Sequence, residues 1–592
     1  MKHPTEAVHE YRGDATPLRN CKHNLDPVTV QIIRHALASA ANQMVKTMVR
    51  TAFTPVLYEA LDFAVVLYDR DFRLLAQGAT IPAFTGTMGF CIQAAVENAG
   101  GDQSLLPGDV ILYNVPHGTG SHAQDCAVIL PVFDEAGTHI GYCANKAHWA
   151  DIGAKNFYCT DTTDLFQEGT LLPGVKLYAA GVENESVRRI ILANSRSPNL
   201  VAGDIKAQIS SCNVGANELS RIVSRFGYAT FLDCIETIIE HSERKVRAFL
   251  ESLPDGVYTG TCYMDNNGVE NTPITFEVTV EIAGSDIIID YSAAPPTQRG
   301  PVNCPLPSTV SLSRILLSMI AGSYEAPNEG MFRPLTVRTK PGSMYNPHRT
   351  APSFLYGWGI DAAMEGVLEA FAAAIPTLPA GSAGDICALD IHGVDADGKF
   401  FALGAALPVG HGANPTHDGN ILYIPALANS RTQSAEIIEA RNPVLVDAWE
   451  ITADTAGPGK FRGGPGWQLA YRTLSNAEVI SIIERTLEPA RGRDGGLPGV
   501  ANRLELEEPD ESVEIIGKVT GKPVRKGTRL RIFCGGGGGY GAPAERDPAL
   551  VLEDLRNGVV TLEHVKRHYQ HALESLLTLA HFQTAGSGSG LS

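Results

Sequence analysis

Long helices and β-hairpins alternate along this chain of 592 residues without the strand–helix–strand rhythm of a parallel sheet. That succession constrains the fold more than any other feature. Asp26-Pro27 reads as a helix N-cap followed by a first-turn proline. Val30, Ile33, Leu37, Ala41, Met44 and Met48 then recur at helical spacing for about seven turns. Asp62–Tyr68 and Arg73–Gln77 flank a turn and predict a hairpin. A helix is expected over 86–99, a strand over 109–114 and an irregular loop over 115–125. Strands over 126–133 and 139–144 should pair through 134–138. Helical spacing returns over 203–226 and 231–253, where Pro254-Asp255-Gly256 ends it.

Beyond residue 256, β-branched alternation marks 274–282 and 286–291, and helices are expected over 308–323 and 361–375. Residues 442–533 are short β runs punctuated by glycine. Asp547-Pro548 and Thr561 cap two closing helices, the first ending at Asn557-Gly558. The fold class is therefore α+β and multidomain, with long helices and mostly antiparallel mixed sheets. The expected divisions are a polar N-terminal arm (1–25), an α+β domain (26–255) and a central α+β domain (256–440). A β-rich glycine-punctuated domain (441–545), C-terminal helices (546–584) and a flexible tail (585–592) follow.

The charge balance is 47 Lys and Arg against 65 Asp and Glu, a net −18. A surface of that sign repels phosphate backbones and argues against a nucleic-acid partner. The most apolar long stretch, near Gly366–Gly381, contains Glu369 and two prolines and falls short of the ~20 apolar residues of a membrane span. The first residues lack the apolar segment of a secretory signal. The 11 cysteines include no C-x-x-C pair, so neither a disulfide framework nor a thiolate zinc site is expected. Reduced thiols and a cytoplasmic location are the expectation, with a small molecule as substrate.

The chemistry concentrates between Asp62 and Asp151. His122 and Asp125 form an H-x-x-D pair on a glycine-rich loop, and Lys146-Ala-His148-Trp-Ala-Asp151 follows one hairpin later. Two imidazoles and one or two carboxylates at neighbouring strand ends suit a mixed N/O site for zinc, manganese or iron. Such a set leaves a coordination position open, as catalysis requires. Among 17 histidines a pair of this spacing also arises by chance. In that case His122 is a surface loop residue and His148 a strand-end residue bonded to its neighbours. His117 and Asp109 lie nearby in sequence but suit ligation less well.

A series of blocks, in order, carries a family resemblance. It begins with Asp26-Pro-Val28, Asp62-Phe63 with the hairpin ending Leu75-Ala-Gln77, and the His122/Asp125 loop. Lys146-Ala-His-Trp-Ala-Asp-Ile-Gly153, Asp161-Thr-Thr-Asp-Leu-Phe-Gln-Glu-Gly169 and Pro173-Gly-Val-Lys-Leu177 continue it. Gly203-Asp-Ile-Lys-Ala-Gln208, Arg299-Gly-Pro-Val-Asn-Cys304, Asn328-Glu-Gly330 and Pro341-Gly-Ser343 come next. Asn429-Ser-Arg431, Phe461-Arg-Gly-Gly-Pro-Gly466 and Gly535–Gly541 complete it. Over nearly all of its length beyond residue 25, the chain resembles the hydantoinase B/oxoprolinase family, which includes acetone and acetophenone carboxylase subunits.

The resemblance implies that His122, Asp125 and His148 ligate a divalent metal, with Asp62 as a fourth ligand. It implies a hydantoinase A-type partner subunit, in a hetero-oligomeric complex, that uses ATP and magnesium to phosphorylate the substrate. This chain has no G-x-x-x-x-G-K-[ST] loop of its own, in keeping with that division of labour. Two chemistries fit: carboxylation of an enolisable ketone, including aromatic ones, through an enol phosphate, and ATP-dependent hydrolysis of a cyclic amide. The block from Lys146 to Gly169 looks closer to ketone carboxylases, and the reading leans that way. Family members commonly carry Asn-Asp-Pro where this chain has Asn114-Val-Pro116. The lost charge at Val115 keeps a non-catalytic structural subunit as a further alternative.

Two carboxylates are candidate catalytic residues. Glu168 would be a general base and Asp151 would orient His148 through a hydrogen bond. The plainer alternatives are a partly solvated loop carboxylate and a strand-end cap. Asn303, Asn328 and Arg431 read more simply as turn and ion-pair residues than as substrate contacts. His411 and His417 form a second His/Gly loop, facing a cavity or lying on the surface. The run Gly535–Gly539 reads as a tight backbone crossing rather than a phosphate cradle.

Overall fold

The computed structural model describes residues 8–13, 18–19, 25–322, 326–384, 387–421, 427–429 and 431–573. They form two compact units, residues 1–374 with 426–432, and residues 375–425 with 433–592.

In the first unit, helix α1 (Pro27–Thr51) starts where the sequence predicts, because the Asp26 carboxylate accepts hydrogen bonds from the Val28 and Thr29 amides. Its stripe of Val30, Ile33, Leu37, Ala41, Met44 and Met48 is buried. The expected hairpin is β1 (Phe63–Asp69) with β2 (Leu74–Gln77). Strands β3 (Val110–Tyr113), β4 (Asp125–Phe133), β5 (His139–His148) and β6 (Pro173–Ala179) extend it. Together with Val182–Glu183 they make one antiparallel sheet, ordered β2-β1-β5-β4-β3-β6 and the short strand.

Helix α2 (Pro198–Phe226) packs on β4, β5 and α1, and α3 (Tyr228–Glu251) follows it. At Gly215 of α2 a Cβ would lie 2.4 Å from the Met44 sulfur, so glycine is what lets the two helices approach. Strand β5 runs to His148, four residues past the expected end at 144. Asn145 and Lys146 interrupt the apolar run, yet both are fully buried. Polar partners elsewhere in the fold accommodate them, which local hydropathy does not register.

A second sheet in this unit orders His9–Arg12, Leu335–Thr339, Asp286–Asp290, Ile274–Ala283 and Gly256–Met264. Only the Asp286–Asp290 and Leu335–Thr339 pair is parallel. The expected polar arm is thus corrected in part. His9–Arg12 is an edge strand, antiparallel to a partner more than three hundred residues away, and too short to show a period. The boundary at 255 separates two sheets of one compact unit rather than two units.

The second unit holds two antiparallel sheets. One orders Phe400–Leu407, Cys387–Val394, Ala477–Ile482 and Val519–Val524. The other orders Val444–Ile451, Trp467–Thr473, Arg529–Cys534, Arg503–Glu507 and Val513–Ile516. The expected boundary at 440 is displaced to about 375. Cys387–Val394 pairs with Ala477–Ile482, and Leu389 and Ile391 share a core with Val479.

The closing helices Pro548–Arg556 and Leu562–His568 are capped by Asp547 and Thr561, as the sequence predicts. Gly558, just past the first, has φ +71°. The tail at 585–592 lies outside the described residues. No helix among the described residues is long and apolar enough to cross a membrane, and nine described cysteines are free and buried.

Candidate metal centre

The site is assembled by the pairing of two strand ends. In the register of β4 and β5, Asp125 stands opposite His148. The short turn Pro116–Thr119 and Gly120, whose φ of +63° suits glycine, then lead His122 back over the same end. The loop carrying His122 is held from below by Lys146, which donates to the Thr87 hydroxyl, the Thr119 carbonyl and the Ser121 hydroxyl. Gln208 of α2 clamps the strands, donating to the Cys126 and Asn145 carbonyls and accepting from the Trp149 indole.

One ligand atom each from His122, Asp125 and His148 lies within 4.8 Å of the other two. The His148 Nδ1 is 3.2 Å and the His122 Nδ1 3.7 Å from the same Asp125 carboxylate oxygen. The two imidazoles are 4.9 Å apart, centre to centre. Asp62 stands at the rim, 30% of its side chain exposed, with a carboxylate oxygen 4.0 Å from the His148 Nδ1. Its main-chain carbonyl accepts from the His148 amide.

The electrostatics suit a cation. Burial pushes the His122 imidazole down to about 4, so it is neutral at physiological pH and offers a lone pair. Burial would raise Asp125, but the adjacent His122 and His148 outweigh it and hold the carboxyl below its ordinary value. Asp62 is raised to about 6, by desolvation first and by the Asp125 charge as well, with His148 opposing. Burial also lowers the Lys146 ammonium to about 8. The His122 Nδ1 and one Asp125 oxygen are buried without a hydrogen-bond partner among the described residues. A buried polar atom left open in this way costs stability unless something else satisfies it. The donor set of two imidazoles and a carboxylate fits zinc, manganese or iron.

Aromatic rings line the far side of His122. Phe354 stacks on it at 5.1 Å, with Tyr158 and Tyr356 each 5.6 Å away. Tyr158 in turn packs against Trp358. No local motif pointed to this lining, and Lys146 and Gln208, though inside the sequence blocks, carried no expected role. A usable signal for Gln208 was its position with Asp204 and Ser211 on the otherwise apolar face of α2.

The remaining candidates separate. Asp151 is engaged away from the cluster. Its carboxylate accepts from the Arg196 main chain, the Arg196 guanidinium and the Gly153 amide. Those donors, Arg196 foremost, overcome burial and hold it below the usual range. The orienting role expected for it gives way to that of a loop anchor, because Arg196 offers a full bidentate charge partner. Glu168 is fully buried rather than partly solvated. Asp109 is engaged by Lys176 and the Leu106 and Ala180 amides, and His117 by the His348 carbonyl.

Asn303 bonds to Gln298, Gly300 and Pro352, and Asn328 to Gly330 and Ser242. Both are structural turn residues. The Arg431 amide reaches the Ala60 carbonyl. His411 is partly buried and lowered to about 4, whereas exposed His417 closes a turn with Asn414 and Thr416.

Fold and site together define a class: a multidomain α+β protein with a buried His₂–carboxylate cluster at adjoining strand ends, fit for a divalent cation. The chain belongs to the hydantoinase B/oxoprolinase family, whose sequence model matches residues 26–543. It is 28% identical to the B-type chain of a putative D-/L-hydantoinase of Pseudomonas sp. (strain NS671), over 92% of this chain and 95% of that protein. It is 30% identical to the beta chain of the caprolactamase of Pseudomonas jessenii, over 92% and 96% of the two chains. The crystal structure of ATP-dependent caprolactamase from that organism superposes with a TM-score of 0.85 at 27% identity, covering 92% of this chain and 96% of the other. A nucleotide-free acetone carboxylase structure shares the fold, with a TM-score of 0.83 at 16% identity, covering 96% and 84%. Family membership makes the chain an enzyme subunit of the ATP-dependent carboxylase or amidohydrolase type.

Proposed function

We propose that this chain is the cation-holding subunit of an ATP-dependent enzyme that opens a cyclic amide, acting beside a hydantoinase A-type partner that binds ATP. The observation that carries the reading is the convergence of His122, Asp125 and His148, with two buried polar atoms left for a ligand to satisfy. Similarity over more than nine-tenths of both chains to proteins named as hydantoinase and caprolactamase subunits supports the amide.

Zinc, manganese or iron held by the three residues supplies a Lewis acid at the strand ends. The chain's own part is to keep the His122 imidazole neutral, to place the Asp125 charge between the two rings and to exclude water with Phe354, Tyr158 and Tyr356. Asp62 at the open rim is the proposed fourth ligand, and ATP with magnesium belongs to the partner. Free, buried thiols fit a reducing, cytoplasmic setting.

A second reading is carboxylation of an enolisable ketone. The aromatic lining beside His122 favours it for a ketone bearing a ring. The two are separated in the reconstituted complex. Cyclic-amide opening without bicarbonate supports the first, and bicarbonate-dependent ATP consumption with a ketone supports the second. If purified chain holds no divalent metal under either condition, both catalytic readings fall and a structural subunit remains.

A further inference from the structure

Glu168 is a buried carboxylate near this site whose bonding is lopsided. Its Oε1 accepts the Thr162 hydroxyl at 2.8 Å, the Ser353 amide at 2.8 Å and the Phe354 amide at 3.0 Å. Its Oε2 is buried with no partner among the described residues. Its main-chain carbonyl accepts from the Gln124 side chain, between His122 and Asp125. One residue thus ties the His122 loop, the Thr162 loop and the segment bearing Phe354, and Phe354 is the ring stacked on His122.

We propose that Glu168 is a positioning residue: through the Ser353 and Phe354 amides it fixes the aromatic wall against His122, and it carries no proton to or from the substrate. Three donors converge on one oxygen, which makes Glu168 an acceptor for the two amides. Burial raises the group to about 8, against the pull of the three bonds. Glutamine reproduces its shape and its acceptor. The proposal rests on the metal-site reading for its functional consequence, and not for its structural content.

The test compares E168Q, E168A and T162V in the full-length chain by hydrogen exchange of the peptide spanning residues 350–358. E168Q keeps the acceptor and should exchange within about twofold of wild type, while E168A should exchange about tenfold faster or more. T162V leaves both amide bonds in place and should stay near wild type. In the assembled enzyme, E168Q should keep kcat within about threefold, and E168A should raise KM more than it lowers kcat. A kcat loss of about a hundredfold in E168Q, with exchange unchanged, would make Glu168 a general base and overturn the proposal. Equal protection in E168A and wild type would overturn it as well.

Should E168A fail to fold, E168M, which keeps the bulk and removes the acceptor, takes its place: protection of the 350–358 peptide equal to wild type refutes the positioning role. Exchange needs no cation, so failure of the metal reading is seen separately, as a chain without metal whose exchange still depends on residue 168.

Discussion

The strand ends around His122 and the glycine run at 535–539 are both buried and both dense with polar atoms, yet they resolve that density in opposite ways. Along the run, the amides of Gly537, Gly538 and Gly539 donate to Gly464, Gly381 and Leu497, and their carbonyls accept from Gly457, Ala413 and Arg493. A Cβ on any of the five would lie within 2.3 Å of a backbone oxygen. The groups of Gly537–Gly539 are spent on neighbouring backbone and the Gly535 amide on the Asn502 side chain, as in the crowded axis of a collagen-like bundle, and no room is left for a phosphate. At the strand ends the bonds stop short, with an imidazole nitrogen and a carboxylate oxygen left open. Burial alone therefore does not mark a ligand site; converging donors with unmet bonding capacity do.

The comparison breaks most sharply at the ligands. A His122→Ala, Asp125→Ala double variant should fall from about one bound divalent metal per chain to none, with activity lost, as read by elemental analysis. Unchanged metal content would refute the site.

At the other region, Gly537→Ala puts a methyl group 2.1 Å from the His411 carbonyl oxygen. Because backbone, not a yielding side chain, stands in the way, the cost should be about 3 kcal/mol, seen as a lowered melting temperature. A near-neutral outcome would mean that the bundle is loose.

Lys146→Met keeps the bulk but removes the three bonds that seat the His122 loop. Metal affinity should drop about tenfold, measured by competition with a chelator, while the fold survives.

Glu168 sharpens the contrast through pH. In the native chain its proton is held to about 8, whereas the unfolded chain releases it near 4.5. The native state binds the extra proton between those values, so stability falls as pH rises through that window. E168Q does not titrate. Its melting temperature relative to wild type should therefore rise from pH 5 to pH 8, by the equivalent of about 3 kcal/mol at most. A pH-independent difference would refute the upward shift.

The smallest effect is expected at Gly398, where φ is +77° and the space is open. Alanine there should cost only about 1 kcal/mol, from backbone strain alone.

Much of the site was legible from local patterns. The H-x-x-D pair and the Lys146–Asp151 block proposed the three residues that converge. The surroundings of Asp151 and Glu168 were not legible in the sequence, since each is an acidic residue in the irregular stretch after β5. Only the approach of Arg196 to one, and of Ser353 and Phe354 to the other, gave them different environments. The aromatic lining was hidden for the same reason, as Phe354 comes from a segment with no periodicity of its own.

What the sequence by itself determined is what neighbours along the chain dictate: the caps at Asp26, Asp547 and Thr561, the buried stripe of α1, and the glycine run that admits no side chain. Tertiary structure alone decided which strands share a sheet, how far β5 extends, and which buried carboxyl groups meet a charge. Those outcomes depend on desolvation and on partners distant in the chain. Spacing encodes neither.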